Sequence, residues 1–365
     1  MTEKEIWDKA YNRIFELYGD MPDLRIVSRF YSEKQAFMQY EVGKYFYDLF
    51  RLRGEVKQAD ERMIVKNTVA SCFVAYLLGA TDENPLPAHY YCPKCKTVEW
   101  VDEKCVFDLR NRTCACGEKM NSDGFDIPFE TYLPYAKKLK VADVTDESYL
   151  ALSDATFSHY QKSLLYTTNI CKQLEKATGV YMDSIDLNDL AVKHRLLTGE
   201  FENLAGVGGK QVIKQMVALT SPQTYNEFLK LIGLAHGTCT WRNNAEHLLT
   251  DGVCSLADIP ATRDDIFMTI CEAMRDCDFH DTGFAYDVAN KARRGYYLEH
   301  GMDDYTNQTL SMLGLDDWFG GFIRKTHYMS TKALAVLELK YSIILNWYQV
   351  YYPREYQQIM ADYNV

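Results

Sequence analysis

Two close pairs of cysteines constrain this chain more than any other feature. Cys92-Pro93-Lys94-Cys95 is the first pair, and Cys114-Ala115-Cys116, with Gly117 directly behind it, is the second. Four thiolates delivered as two short turns suit a tetrahedral Zn²⁺, with each sulfur about 2.3 Å from the metal. Pro93 presets φ in the first turn, and Gly117 tolerates a positive φ in the second. The second pair has one intervening residue where the usual knuckle has two, so its turn is tighter. Cys105, between the pairs, is an alternative ligand. Four unligated thiols are the plainer reading, and the paired spacing argues against it. A site of four thiolates leaves no open position for a substrate, so the predicted zinc is structural.

Composition narrows the class. The 365 residues are 47% hydrophobic, enough for the cores of two or three domains. A formal charge of −11 argues against broad electrostatic wrapping of nucleic acid, while leaving room for a local basic groove. No run of about 18 apolar residues occurs, and the start, MTEKEIWDKAYNR, is charged. These features predict a cytoplasmic protein with no membrane partner, whose 11 cysteines are reduced thiols plus a metal site.

The first 62 or so residues read as helices. Ile6, Ala10, Ile14 and Tyr18 fall on one face, and Phe37, Tyr40, Tyr45, Phe46 and Leu49 form an aromatic stripe, both read as core. TTNICKQLEKATGV is a helix ended by Gly179, and Asp186 or Asn188 is placed to cap the next. Beyond Val180, strand-like alternation nearly vanishes, so the second half is predicted to be helical.

Several stretches carry a resemblance to a known family. Asn84 to Tyr91, the two cysteine pairs and Asp123 to Thr131 resemble the zinc-bearing insertion of PolC. PolC is the replicative DNA polymerase III α-type enzyme of low-GC Gram-positive bacteria. Ser221 to Trp241 is similar to a PolC fingers helix and the turn beside the incoming nucleotide, with His236 and Gly237 kept. Residues 243–267 continue it through Arg263-Asp264-Asp265, and Ala292 to Gly295 matches a basic turn carrying Arg293 and Arg294. Tyr328 to Ala335 resembles a segment in which Lys332 is kept, while Thr331 and Leu334 replace a proline and a histidine. The resemblance implies an α+β, mostly α fold: a remnant C-family palm with a zinc-binding insertion, then a helical fingers domain. The implied division is 1–83 for the helical start of the palm, 84–133 for the zinc insertion, 134–165 for a truncated palm segment and 166–365 for the fingers. The family's exonuclease, PHP-like and C-terminal clamp-binding regions lie outside the stretch it covers.

The departures are as informative as the matches. In residues 63–81 the family has a Gly- and Ser-rich turn, suited to phosphate because bare amides at a helix start can approach the anion. Here Ile64, Asn67 and Ala70 replace the glycines and Lys66 stands for an arginine, while Ser71, Phe73, Val74 and Ala75 retain the helix half. The family's strand with two aspartates in D-x-D spacing holds two Mg²⁺ ions. KLKVADVTDESYL supplies Asp143 and then Thr145, and on a strand Asp146 points to the opposite face. After Leu152 a long piece of palm is missing, and FSHYQKSLL stands where the third aspartate's strand belongs, with Gln161 nearest. At most one of three metal carboxylates remains, so Asp143 is vestigial or simply an exposed carboxylate.

The expectation is a degenerate polymerase with no catalytic residue, structural zinc, and Mg²⁺ only if polymerisation survives. DNA, nucleotide or a replication protein is its partner, in the manner of a phage- or mobile-element-type adaptor. Lys66, His236, Gly237, Arg293, Arg294 and Lys332 are the contact candidates. Each has a plainer reading as a helix-end histidine or a solvated basic face, as do Arg324 and Lys325. Two other functions stay open. One is an active nucleotidyltransferase using Asp143, Asp146 and Asp154. The other is a protein-interaction module built on the aromatics of YYLEHGMDDY or NWYQVYYPREY.

Overall fold

The computed structural model describes residues 3–40, 71–79, 81–102, 105–129, 159–206, 210–275 and 277–362. Two compact units divide the chain, Met1–Thr168 and Asn169–Val365. The described residues are mostly helical with one small sheet, in keeping with an α+β, mostly α class.

The first unit opens with α1 (Glu3–Tyr18) and α2 (Leu24–Tyr40). The face predicted from spacing is the buried one: Ile6, Ala10, Ile14 and Tyr18 are all inside. From α2, Ile26, Phe30 and Phe37 complete this core, with Phe37 stacked on Trp7 at 5.9 Å. The rest of the predicted aromatic stripe, Tyr40 to Leu49, lies outside the described side chains.

A buried charge fixes the next element, α3 (Phe73–Leu77). Glu33 of α2 has 0% exposure, and its carboxylate accepts from the Phe73 and Val74 amides at 2.9 and 2.8 Å. It thereby caps α3 from a distance. Burial pushes this carboxyl up, and Arg29, donating from Nε at 2.6 Å, opposes the shift. Arg29 also donates to the carbonyls of Ser71 and Ile127, at 2.9 and 3.1 Å. The helix half of the family-like turn is therefore anchored by a paired internal charge rather than by local propensity.

The sheet follows. β1 (His89–Tyr91) lies between β2 (Val98–Trp100) and β3 (Asn121–Asp123), antiparallel to both. In this register His89 faces Trp100 on one side and Asp123 on the other.

Helix α4 (His159–Thr178) begins inside FSHYQKSLL, so the segment compared with an aspartate-bearing strand is helical from His159 onward. Gly179, at φ 72°, ends it. The cap of α5 (Leu190–Thr198) is Asp189, one residue after Asn188 and three after Asp186. Asp189 accepts from the Val192 amide at 2.9 Å, whereas Asp186 serves the turn before it by accepting from Asn188 N.

The second unit continues through α6 (Lys210–Thr220), α7 (Tyr225–His236), α8 (Glu246–Thr250), α9 (Arg263–Met274), α10 (Thr282–Arg293) and α11 (Tyr296–His300). It closes with α12 (Asp304–Met312), α13 (Asp317–Lys325), α14 (Lys332–Tyr351) and α15 (Pro353–Asp362). Capping boxes start α7 (Thr224 with Glu227) and α9 (Thr262 with Asp265).

Helix α14 is the central rod, packed against α5, α7, α9 and α15. Its polar residues Glu338, Ser342 and Asn346 recur every fourth position on one buried face. They meet the loop Phe201–Gly206, whose backbone needs partners inside the protein. Ser342 Oγ accepts from Ala205 N at 2.9 Å, and Asn346 Nδ2 donates to the Asn203 carbonyl at 3.1 Å. Among the described residues, no helix is long and apolar enough to cross a membrane.

Candidate metal centre

Strand β1 delivers Cys92, and the turn into β2 delivers Cys95. In that turn Cys92 N donates to Thr97 O at 2.9 Å, and Lys96 N to Cys92 O at 3.0 Å. Cys95 N donates to Cys92 Sγ at 3.4 Å, which aims the sulfur inward. Across the site, Gly117 N donates to Cys114 O at 2.9 Å and Cys114 N to Glu118 O at 2.8 Å, closing the tighter second turn. Gly117 takes φ 86° there, as its position behind the CxC pair required.

The four sulfurs converge. Cys92 Sγ lies 3.5 Å from Cys116 Sγ, and Cys95 Sγ lies 3.4 Å from Cys114 Sγ. All four fall within 4.8 Å of one another. A tetrahedron with ~2.3 Å metal–sulfur bonds has edges of ~3.8 Å, so the donor set fits an ion such as zinc. Cys105 is buried elsewhere, ahead of the turn Val106–Asp108, and is not among the four. Among the described residues, this is the one such group.

The thiols divide their protons unequally. The Thr97 hydroxyl, 3.2 Å from Cys95 Sγ, holds Cys95 down to about 6. Cys114 goes the other way, to about 12. The Cys116 amide pulls its thiol down most strongly, but burial and the three neighbouring thiols together outweigh it.

A buried polar network gathers at the other end of β1 and at β3. His89 Nδ1 sits 2.7 Å from the Pro87 carbonyl, which only accepts, so Nδ1 carries the proton. Nε2 is then the acceptor for Tyr18 OH at 3.2 Å. Asn84 Nδ2 donates to Tyr18 OH at 3.1 Å and to Asp123 Oδ2 at 2.8 Å, and Tyr76 OH donates to the same carboxylate at 2.8 Å. Burial lowers the His89 pKa, which keeps the ring neutral in this role, with Asp123 opposing.

The two motifs flanking the cysteines lie side by side. Phe125, Asp126 and Ile127 donate amides to Asn84, Leu86 and Pro85 at 3.0, 2.9 and 2.9 Å. Gly124 makes this approach possible: at φ 100°, a Cβ would stand 2.3 Å from the Pro87 carbonyl oxygen.

In the second unit, the other family-like motifs meet around residues 327–332. Thr238 N donates to Tyr328 O at 2.9 Å, Met329 N to Arg293 O at 3.2 Å, and Arg263 N to Ser330 O at 3.0 Å. Lys332 N donates to Asp264 Oδ2 at 2.8 Å. The predicted contact residues fare differently at this junction. Lys332 is buried, at 9% exposure. His236 Nε2 lies 3.6 Å from the fully buried Glu338 carboxylate, and burial holds the imidazole down to about 4. Gly237 is packed, since a Cβ would lie 2.4 Å from Thr240 Cγ2 and 2.9 Å from the Tyr328 carbonyl oxygen.

Arg293 is half-buried with its guanidinium 6.0 Å from the Tyr328 ring centroid, and Arg294 is exposed. Arg324 and Lys325 are exposed at the end of α13. Lys66, Asp143, Thr145, Asp146 and Asp154 lie outside the described residues. Sequence reasoning missed the Glu33 cap and the Tyr18–His89–Asn84–Asp123 network. Only the motifs around Asn84 and Asp123 hinted at the latter.

No family model matches the chain. The PolC-type DNA polymerase III of Caldanaerobacter subterraneus subsp. tengcongensis is 23% identical over 480 residues, covering 97% of this chain and 34% of that enzyme. The PolC-type DNA polymerase III of Staphylococcus aureus (strain Mu3) is 23% identical over 484 residues, covering 97% of the chain and 33% of the enzyme. The chain is thus a distant relative of the PolC-type polymerases and spans about a third of their length. Because it has only 365 residues, an alignment of 480 leaves more than a hundred positions that the relative fills and this chain does not.

Proposed function

We propose that this chain is a PolC-derived protein that keeps a remnant palm with structural zinc and a fingers-like helical half, has lost primer extension, and binds DNA. The observation that carries the reading is the pairing of Asp143 with Thr145, where two-metal chemistry needs a second carboxylate. Two Mg²⁺ ions about 3.5–4 Å apart repel each other, and bridging carboxylates offset that repulsion. A neutral hydroxyl does not replace one of them. The positions that the relatives fill and this chain does not support a shortened palm as part of this reading.

DNA binding is assigned to the surface around Arg293, Arg294 and Tyr328. Met329 N holds this loop to the Arg293 carbonyl at 3.2 Å. Gly295 lets the two segments touch, since a Cβ there would lie 2.6 Å from the His327 carbonyl oxygen. Exposed Arg294, Arg324 and Lys325 supply charge, and Tyr328, 39% exposed, offers a ring face for a base. The net charge of −11 confines attraction for phosphate to such a patch.

Fluorescence anisotropy with a labelled single strand and a primer–template duplex tests this. Affinity is expected to fall steeply with salt, and Arg293→Ala with Arg294→Ala to lower the log–log salt slope by roughly 2. Binding that ignores both salt and the two substitutions would overturn the DNA assignment in favour of a protein partner.

A further inference from the structure

The hairpin that carries Cys92 and Cys95 also grips the turn between α1 and α2. Lys96, directly after Cys95, is in the left-handed region at φ 64°. Its Nζ donates to the Glu16 carbonyl in the last turn of α1. Helix ends leave such carbonyls without helical partners, and a cation there also suits the helix dipole. Gly19, which ends α1 at φ 82°, lies against the same lysine: a Cβ there would stand 2.7 Å from Lys96 Cβ. Trp100 of β2 adds Nε1 to Asp23 Oδ2 at 3.0 Å, and Arg25 covers its ring at 4.8 Å. Tyr18 OH, bonded to His89 Nε2 at 3.2 Å, completes the contact from β1.

The seat of Lys96 depends on the knuckle. Its own amide closes the turn onto the Cys92 carbonyl at 3.0 Å, and the next residue, Thr97, receives the Cys92 amide at 2.9 Å. A lysine adopts a left-handed backbone only where its surroundings impose it. Here the imposing element is a turn whose two cysteines point at one ion position.

We infer that an ion at the cysteine cluster is a latch for the α1–α2 pair. With the ion bound, the knuckle holds Lys96 on the end of α1 and Trp100 on Asp23. Without it the turn relaxes, the cap leaves, and the end of α1 and the start of α2 open to solvent. This rests on the metal reading above, and metal content measured alongside separates the failure of one from the failure of the other.

The test is hydrogen–deuterium exchange on the full chain in three states, with elemental analysis of each. These are protein as purified, protein treated with a thiol-competing zinc chelator, and the Lys96→Met variant. Chelation is expected to raise exchange at 92–97 and also at 13–26. Lys96→Met is expected to raise exchange at 13–26 by about three- to tenfold while keeping its metal, since it removes the cap and leaves every sulfur. If chelation loosens 92–97 and leaves 13–26 unchanged, the latch is wrong. Unchanged exchange in metal-loaded Lys96→Met contradicts the role of the lysine. Purified protein without metal overturns the metal reading, and the latch falls with it.

Discussion

The cysteine centre and the junction around residues 327–332 both gather stretches that resemble the PolC-type enzymes, yet they treat those residues in opposite ways. At the centre, four polar side chains from two short turns point at one another, with sulfurs 3.4 to 3.5 Å apart in two pairs. At the junction the chemically interesting side chains are turned into packing. Lys332 is buried, His236 is set against Glu338, and Gly237 is wedged against Thr240 and Tyr328. A ligand set encoded in short turns carries its geometry with it. One assembled from distant segments depends on every residue between them, so a change such as Leu334 within α14 can redirect it.

Removing a ligand is the hardest test of that contrast. Cys92→Ser is expected to drop bound zinc from one equivalent to below half and to abolish the cooperative melt of the first unit. Structural zinc contributes on the order of 10–16 kcal/mol to folding in small sites. Elemental analysis with a thermal melt reads both, and a full equivalent in the variant would break the comparison.

The next test separates two glycines of the centre. Gly124→Ala meets the Pro87 carbonyl as well as an unfavourable φ, so a loss of about 3 kcal/mol or more is expected. Gly117→Ala has open space around it and faces only its φ of 86°, so about 1 kcal/mol is expected. Urea midpoints of the two variants measure the difference.

The junction should respond to acid instead. The folded state holds His236 at about 4, below the unfolded value of about 6.5, because burial penalises the imidazolium. Its contribution is therefore full above about pH 6.5 and is lost as pH falls towards 4, by up to about 3 kcal/mol. His236→Gln should flatten that part of the stability profile of the second unit. Parallel profiles for the two proteins would show that the histidine is not held neutral by its site.

Much of this was legible in order along the chain. The cysteine turns, the Ile6–Ala10–Ile14–Tyr18 face and the Gly179 stop each depend on residues within a few positions of one another. The Glu33 cap spans about 40 positions, the Tyr18–His89 bond 71, and Asn346 to Asn203 143. No local pattern announces such partners, so Glu33 reads as one more surface acid and Glu338, Ser342 and Asn346 as ordinary polar positions. The cap of α5 was misplaced for a related reason. Asp186, Asn188 and Asp189 are all competent caps, and Asp189 is the one whose carboxylate reaches the Val192 amide. The contact role of Lys332 rested on its match to the family alone, and burial is a property no match reports.

The central claim is that the fold outlived the chemistry. A primer-extension assay with Mg²⁺ or Mn²⁺ and all four deoxynucleoside triphosphates, run beside Asp143→Ala, tests it directly. The account predicts no extension above background in either protein, even where the primer–template is bound. Extension by the unmodified chain that Asp143→Ala abolishes would contradict it and make this a working polymerase with relocated carboxylates.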